Sequence, residues 1–227
     1  MIERAHGLIL RIRPFSETSV IVNWLTPEFG RVATMAKGAR RPKSPFRGKL
    51  DLFYEADFSF ISSRRSELHT LGEVHLRETN PMLRRDLDAL QQAAYCAALI
   101  EQATEKETPL PAIYELMAGL MQTLSKNPPQ PLNIFAFEMK LLRELGQSPD
   151  IAETKLTPGS KKILAELTEK DWTDLSRLRL SAAQLQEIEK FLHGFLIWHL
   201  GKIPKNRPGH LIEKNPPRMD ADFRRRS

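Results

Sequence analysis

The apolar residues of this chain change their period once, at Asn80-Pro81. Before that point they alternate; after it they recur every three to four residues. Alternation marks a strand with one buried face, and the longer period marks an amphipathic helix. The spacing therefore predicts an α+β chain, with strands in the first part and helices in the second. Leu8, Leu10 and Ile12 alternate with Ile9, Arg11 and Arg13. Val20, Val22 and Trp24 alternate with Ile21, Asn23 and Leu25, and Arg31–Met35 forms a short run. Leu52, Tyr54, Ala56, Phe58 and Phe60 make another series, and Leu68, Thr70, Val74 and Leu76 a last one, interrupted by Gly72. Turn signals separate the runs at Pro14-Phe15-Ser16, Pro27–Gly30 and Ser62–Arg65. Five short strands remove their edges by closing into a barrel, and the OB-fold is the common solution at this size.

Helical spacing follows. Leu83, Leu87, Leu90, Ala94, Ala97, Ala98 and Leu99 lead to about Glu105. Ile113–Leu124 is closed by Asn127-Pro128-Pro129, and Leu132–Leu145 is ended by Gly146 and Pro149. A weaker helix covers Ser160–Glu169. A long one runs from Ser181, the expected N-cap, to Leu200, with Gly201 as its stop. Such helices pack as a bundle. The expected organisation is a barrel over 1–80, a helical domain over 81–211 and a disordered basic tail over 212–227, ending in Arg224-Arg225-Arg226.

The chain has 227 residues, 41% apolar and 27% charged, with a net charge of +6. Charge is unevenly placed. Residues 1–80 hold 13 Lys/Arg against 9 Asp/Glu, and residues 202–227 hold 8 against 3. The middle is slightly acidic. The densest basic stretch is Arg31–Lys49, with seven Lys/Arg, no carboxylate, two Gly and two Pro. Its middle cannot be a regular helix or a central strand. A basic loop leaving a sheet suits a polyanion, because neutralising phosphates releases condensed counterions. The cations assigned to that contact are Arg31, Lys37, Arg40, Arg41, Lys43, Arg47 and Lys49. Phe15, Phe29 and Phe46 are loop aromatics on which bases could stack, and Phe46, between Pro45 and Arg47, is the first choice.

The one cysteine, Cys96, lies in AAYCAALI and reads as a small buried hydrophobe. It excludes an internal disulfide and a cysteine-based zinc site, and fits a reducing cytoplasm. The opening MIERAHGLILRIRP has too short an apolar core for a secretory signal, and no stretch approaches the roughly 20 apolar residues of a membrane span. His69, Glu73 and His75 share a face by parity, but the two histidines lie roughly 20 Å apart along a strand, too far for one metal ion. They read as polar residues on a wet face. His193, Trp198 and His199 read as packing or partner contacts. There is no Gly-x-x-x-x-Gly-Lys loop, so ATP hydrolysis is not expected.

Three stretches in order carry a resemblance: Arg13-Pro14-Phe15-Ser16-Glu17-Thr18-Ser19, then Leu25-Thr26 through Gly30-Arg31-Val32, then Ala36-Lys37-Gly38-Ala39-Arg40-Arg41 with Ser44 and Leu50. They resemble the RecO family of bacterial recombination mediators. Phe137-Glu138 with Leu141-Leu142 and Leu145-Gly146, and Leu200-Gly201-Lys202 with Pro204, match its C-terminal half more loosely. The resemblance implies an OB-fold followed by helices, and no catalysis of bond breaking. It implies binding to single- and double-stranded DNA through Lys37 and Arg40, with Arg41 and Lys43 adjacent, and annealing of complementary strands. It also implies work with RecR to replace single-strand binding protein (SSB) by RecA, and docking of the acidic SSB tail. Many family members hold zinc through cysteines that Gln147–Lys155 lacks, so neither zinc nor any cofactor is expected. Arginines that contact the SSB carboxylate in some relatives are replaced here by Asn133-Ile134-Phe135-Ala136, leaving Lys140 and Arg143 as substitutes. Two other classes fit the same residues: an RNA-binding OB module, and a scaffold in which the basic loop is incidental. A metal-dependent nuclease would need a carboxylate cluster that the sequence lacks.

Overall fold

A computed structural model describes residues 1–205 and 207–208. The strands β1 (Ile2–Pro14), β2 (Val20–Thr26), β3 (Gly30–Ala36), β4 (Glu55–Ile61) and β5 (Leu68–Glu78) close into a barrel in the order β1-β2-β3-β5-β4. All pairings are antiparallel except β3 with β5. That is the OB-fold arrangement expected from the sequence. A 3-10 turn (Pro81–Arg84) leads into α1 (Leu87–Ala103), α2 (Pro111–Lys126), α3 (Pro131–Glu144), α4 (Pro158–Glu169), the single turn α5 (Trp172–Leu175) and α6 (Ala182–Leu200). Ser181 caps α6 in a reciprocal capping box with Gln184, and Gly201 closes it at φ 72°. The basic tail from 212 onward, with Arg224–Arg226, lies outside the described residues. Among the described residues no helix is long and apolar enough to cross a membrane.

Two bulges overturn the simple alternation. In β1 the register slips between Ile9 and Arg11, so Leu10 and Arg11 together oppose Asn23. Both project from the barrel wall toward the helices, and Ile12 returns to the inner face beside Ile9. In β5 the slip beside Gly72 places His69, Leu71 and Val74 inside, where Leu68, Thr70, Val74 and Leu76 were expected, and Leu76 is exposed. His69 is therefore buried. Its Nδ1 accepts from the Ser63 backbone N–H at 3.1 Å and its ring stacks on Phe60, while Glu73 and His75 face solvent.

Two cores result. The barrel interior holds Ile9, Val22, Trp24, Val32, Phe58, Phe60, Leu71 and Val74, with Trp24 stacked on Phe58 at 4.0 Å. The Trp24 indole N–H donates to Thr34 Oγ1 at 2.9 Å, which satisfies both groups in the interior. The larger core lies among the helices and reaches onto the barrel wall through Leu8, Leu10 and Leu25. Cys96 is fully buried there, and burial pushes its thiol well above the usual range.

One buried ion pair sits in this second core. The Glu138 carboxylate accepts from the Tyr95 hydroxyl at 2.6 Å and from two Arg207 nitrogens at 2.7 and 2.8 Å. Burial pulls the Arg207 guanidinium down, but its bonds to Glu138 outweigh that and keep it charged. The pair fastens the segment after α6 onto α3, and the charges are hydrogen-bonded rather than stranded.

A second polar seam joins the barrel to α2. His6 Nε2 lies 2.6 Å from Glu55 and its Nδ1 2.9 Å from Asp57, so both ring nitrogens face carboxylates. Glu55 also accepts from the Tyr114 hydroxyl of α2 at 2.7 Å. Burial lowers the His6 pKa, but the two carboxylates outweigh burial and hold it above its ordinary value. The stabilisation from His6 is therefore complete below the unfolded value and lost as pH rises through the folded one. His6→Asn is expected to cost stability at pH 6 and much less at pH 9. Urea midpoints of both proteins across that range check this, and a pH-independent gap contradicts it.

Candidate nucleic-acid interface

The connection from β3 to β4, residues 37–54, is a succession of tight turns. Backbone N–H groups of Ala39, Arg41, Ser44, Arg47 and Lys49 each reach the carbonyl three residues back, at 3.0 to 3.4 Å. Gly38 and Gly48 take left-handed φ values of 70° and 72° within this run. The run is pinned at its centre by Phe46. That ring is 7% exposed and belongs to the barrel core, with Ala39 and Leu50 packed partly against the same residues. The loop thus stoppers one end of the barrel. Phe46 is the plug, not a platform for a base, which corrects the assignment made from its neighbours. The signal that could have shown this is the apolar spacing Ala39, Phe46, Leu50 inside an otherwise polar stretch.

The loop from β1 to β2 braces it from the side. Ser16 Oγ accepts from the Ser19 backbone N–H at 3.2 Å, and Ser19 Oγ accepts from the Gly38 N–H at 3.3 Å. The Arg40 N–H donates to the Thr18 carbonyl at 2.9 Å, and the Arg40 guanidinium to the Ser16 carbonyl at 3.3 Å. Phe15, in this bracing loop, is 54% exposed. It is the aromatic beside the basic surface that a base can reach. Phe29 is not: it packs edge-on against Phe60 at 5.5 Å.

Lys37, Arg40, Arg41, Lys43 and Arg47 are exposed around the stopper and Lys49 is half-buried. Among the described residues none of these six is in an ion pair, whereas Arg11, Arg77, Arg84, Lys106, Lys170 and Arg207 all are. The stopper is therefore a surface of uncompensated positive charge held on a fixed backbone.

Arg31 does not belong to it. Its Nε donates to Thr104 Oγ1 at 2.8 Å and its Nη2 reaches the Thr104 carbonyl, at the C-terminus of α1. A cation there satisfies an orphan carbonyl and the helix dipole. Its neighbours serve the same joint. Thr26 Oγ1 donates to the Gly30 carbonyl at 3.0 Å, and a side chain at Gly30 would meet the Thr108 carbonyl oxygen at 1.7 Å. Nor are Lys140 and Arg143 poised for a partner's carboxylate. Lys140 is 8% exposed and its Nζ donates to the Thr168 and Lys170 carbonyls at 3.0 and 2.7 Å. Arg143 donates to the same Thr168 carbonyl at 2.9 Å and pairs with Glu144. Together they cap the end of α4, and burial lowers the Lys140 pKa.

The sequence profile of the recombination protein O N-terminal domain matches residues 1–80, and that of its C-terminal domain matches 84–153 and 151–208. The chain belongs to the recombination protein O family. Proteins called DNA repair protein RecO are similar to it. The one from Rhodopirellula baltica is 33% identical over 63% of this chain and 53% of its own length. Those from Exiguobacterium sibiricum and Bacillus subtilis are each 30% identical over 66% of this chain, and over 60% and 58% of their own lengths. The chain thus spans between about half and three-fifths of the relatives it matches. The stretches that carry the family resemblance are, in this structure, the brace, the barrel-to-helix joint and the stopper.

Phe46→Ala should lower stability by about 3–5 kcal/mol, the range for emptying a buried aromatic site. Phe15→Ala should leave it nearly unchanged. Urea unfolding of both variants checks the pair, and equal losses would contradict the plug.

Proposed function

We propose that this chain is a DNA repair and recombination mediator. It binds single- and double-stranded DNA on the stopper, brings complementary strands together and, with RecR, helps to load RecA onto SSB-coated single strands in the cytoplasm. The observation that carries this reading is the set of six cations on the stopper that have no acidic partner among the described residues. Lys and Arg contact phosphates whatever the base sequence. Two strands held on one such surface stop repelling each other, and base pairing supplies the rest. No bond is broken, so the reading requires neither metal nor cofactor and no catalytic residue. Phe15 adds a face for one unpaired base. RecR and the acidic tail of SSB are partners that family membership brings to the proposal, and Lys140 and Arg143 are left out of it because the end of α4 occupies them.

Changing Lys37, Arg40 and Arg41 together to Ala should weaken binding to oligo(dT) and flatten its dependence on log salt by roughly 2, from about 0.7 per lost single-strand contact. It should also abolish accelerated annealing of SSB-coated complementary oligonucleotides. An unchanged salt slope would contradict the stopper as the DNA surface. Tighter binding of RNA than of DNA in direct competition would replace the reading with RNA handling.

A further inference from the structure

The outer flank of α6 is aromatic: Trp198 and His199 are exposed, Phe195 is half-buried, and Phe191 packs partly against the core among the helices. Phe191, Phe195, Trp198 and His199 fall on one side at helical spacing. Phe191 and Phe195 centroids are 5.7 Å apart, and Phe195 and His199 4.3 Å. Trp198 is 84% exposed, the most open of the large rings among the described residues, and Ile197 beside it is 40% exposed. One turn before Trp198 is Gly194, where a side chain would meet nothing within 4 Å. The indole therefore has a clear face.

The charge around this flank selects the occupant. Lys190 and Lys202 are exposed at its two ends, Lys205 follows, and none of the three is paired with a carboxylate among the described residues. The two carboxylates on this part of the helix are occupied. Glu187 accepts from Thr157 and Ser160, and Glu189 faces Arg207 at 3.8 Å. An exposed indole flanked by these cations fits a strand of alternating bases and phosphates, and stacking tolerates any base.

The flank is also tied through α1 to the barrel wall. The Gln102 side chain of α1 donates to the Lys202 carbonyl, and the adjacent Glu101 pairs with Arg11 of β1 at 2.5 Å. Arg13, exposed and in no ion pair among the described residues, lies about 7 Å farther along that strand, at the entry to the bracing loop.

We propose that the outer flank of α6 is a second seat for single-stranded nucleic acid, in which Trp198 stacks on a base and Lys190 and Lys202 hold flanking phosphates. The seat rests on the reading that the chain binds single strands, and extends it from the barrel to the helices.

Tryptophan fluorescence isolates the seat. Trp24 is fully buried in the barrel and Trp172 is half-buried against Gly119, so quenching by a stacked base reports Trp198. Long oligo(dT) is titrated into the full-length protein, with intrinsic fluorescence and the anisotropy of a labelled strand read together. The expected result is quenching that follows binding, is absent in Trp198→Ala, and is partnered by about tenfold weaker affinity in that variant. Trp198→Phe, which keeps a stacking ring, should recover most of the affinity. Salt-sensitive anisotropy without quenching, at unchanged affinity in Trp198→Ala, overturns the seat while leaving the stopper standing. Quenching retained when Lys37, Arg40 and Arg41 are all Ala upholds the seat even if the stopper fails. Quenching by a peptide of aspartates and phenylalanines, with none by oligo(dT), overturns it and assigns the flank to a protein partner.

Discussion

Between Gly7 and Leu10 the first strand is buried on both sides, and the rest of the molecule is arranged around that fact. Its inner face, Gly7 and Ile9, closes the barrel. A side chain at Gly7 would lie 2.8 Å from the Leu25 carbonyl oxygen and 3.2 Å from the Phe58 ring, so β1 and β2 approach there too closely for any residue but glycine. Its outer face, Leu8 and Leu10, belongs to the core among the helices. A strand shared by two cores cannot shift against either without opening apolar surface, at about 25 cal/mol per Å². Around it are polar ties, from Arg11 and Asn23 to Glu101, from Arg31 to Thr104, and from Glu55 to Tyr114. Barrel and helices therefore present one rigid body with two ends.

That rigidity matters for the charge at the stopper. Like charges on a free loop drift apart and solvate themselves. Here Phe46 in the barrel mouth, the turn hydrogen bonds and the Ser16–Ser19 brace fix the backbone before any anion arrives. The ordering entropy is met by folding, so the phosphate contacts proposed for this surface would add to affinity with less loss. The same residues explain why a short motif string identifies the family. Thr26, Gly30 and Arg31 make the joint, Ser16 and Ser19 the brace, and Lys37 to Arg41 the surface they support.

Much of this was legible in the sequence. Period, turn residues and caps place the five strands, the five longer helices and the Ser181 cap, but the first helix was expected to run unbroken from Leu83, where a separate 3-10 turn ends at Arg84 and α1 begins at Leu87. Alternation failed where a bulge adds a residue, at Leu10 and beside Gly72, because period-2 counting assumes an unbroken ladder. It therefore put His69 outside. Residue type alone also could not say which cations are free. Arg31 and Lys140 look like any other basic residue until the helix ends they cap are in place. Phe46 looked available because its neighbours are polar, and its burial depends on the barrel mouth, which lies far from it in sequence. The Glu138–Arg207 pair joins residues 69 apart and leaves no local signal.

Amide hydrogen exchange on the full chain, with and without a saturating single-stranded oligonucleotide, tests the central claim most directly. The account predicts that added DNA slows exchange most in residues 37–47 and in the bracing loop at 14–19, with α2, α3 and α4 unchanged. Unaltered exchange across the stopper, with protection elsewhere on the molecule, would contradict it.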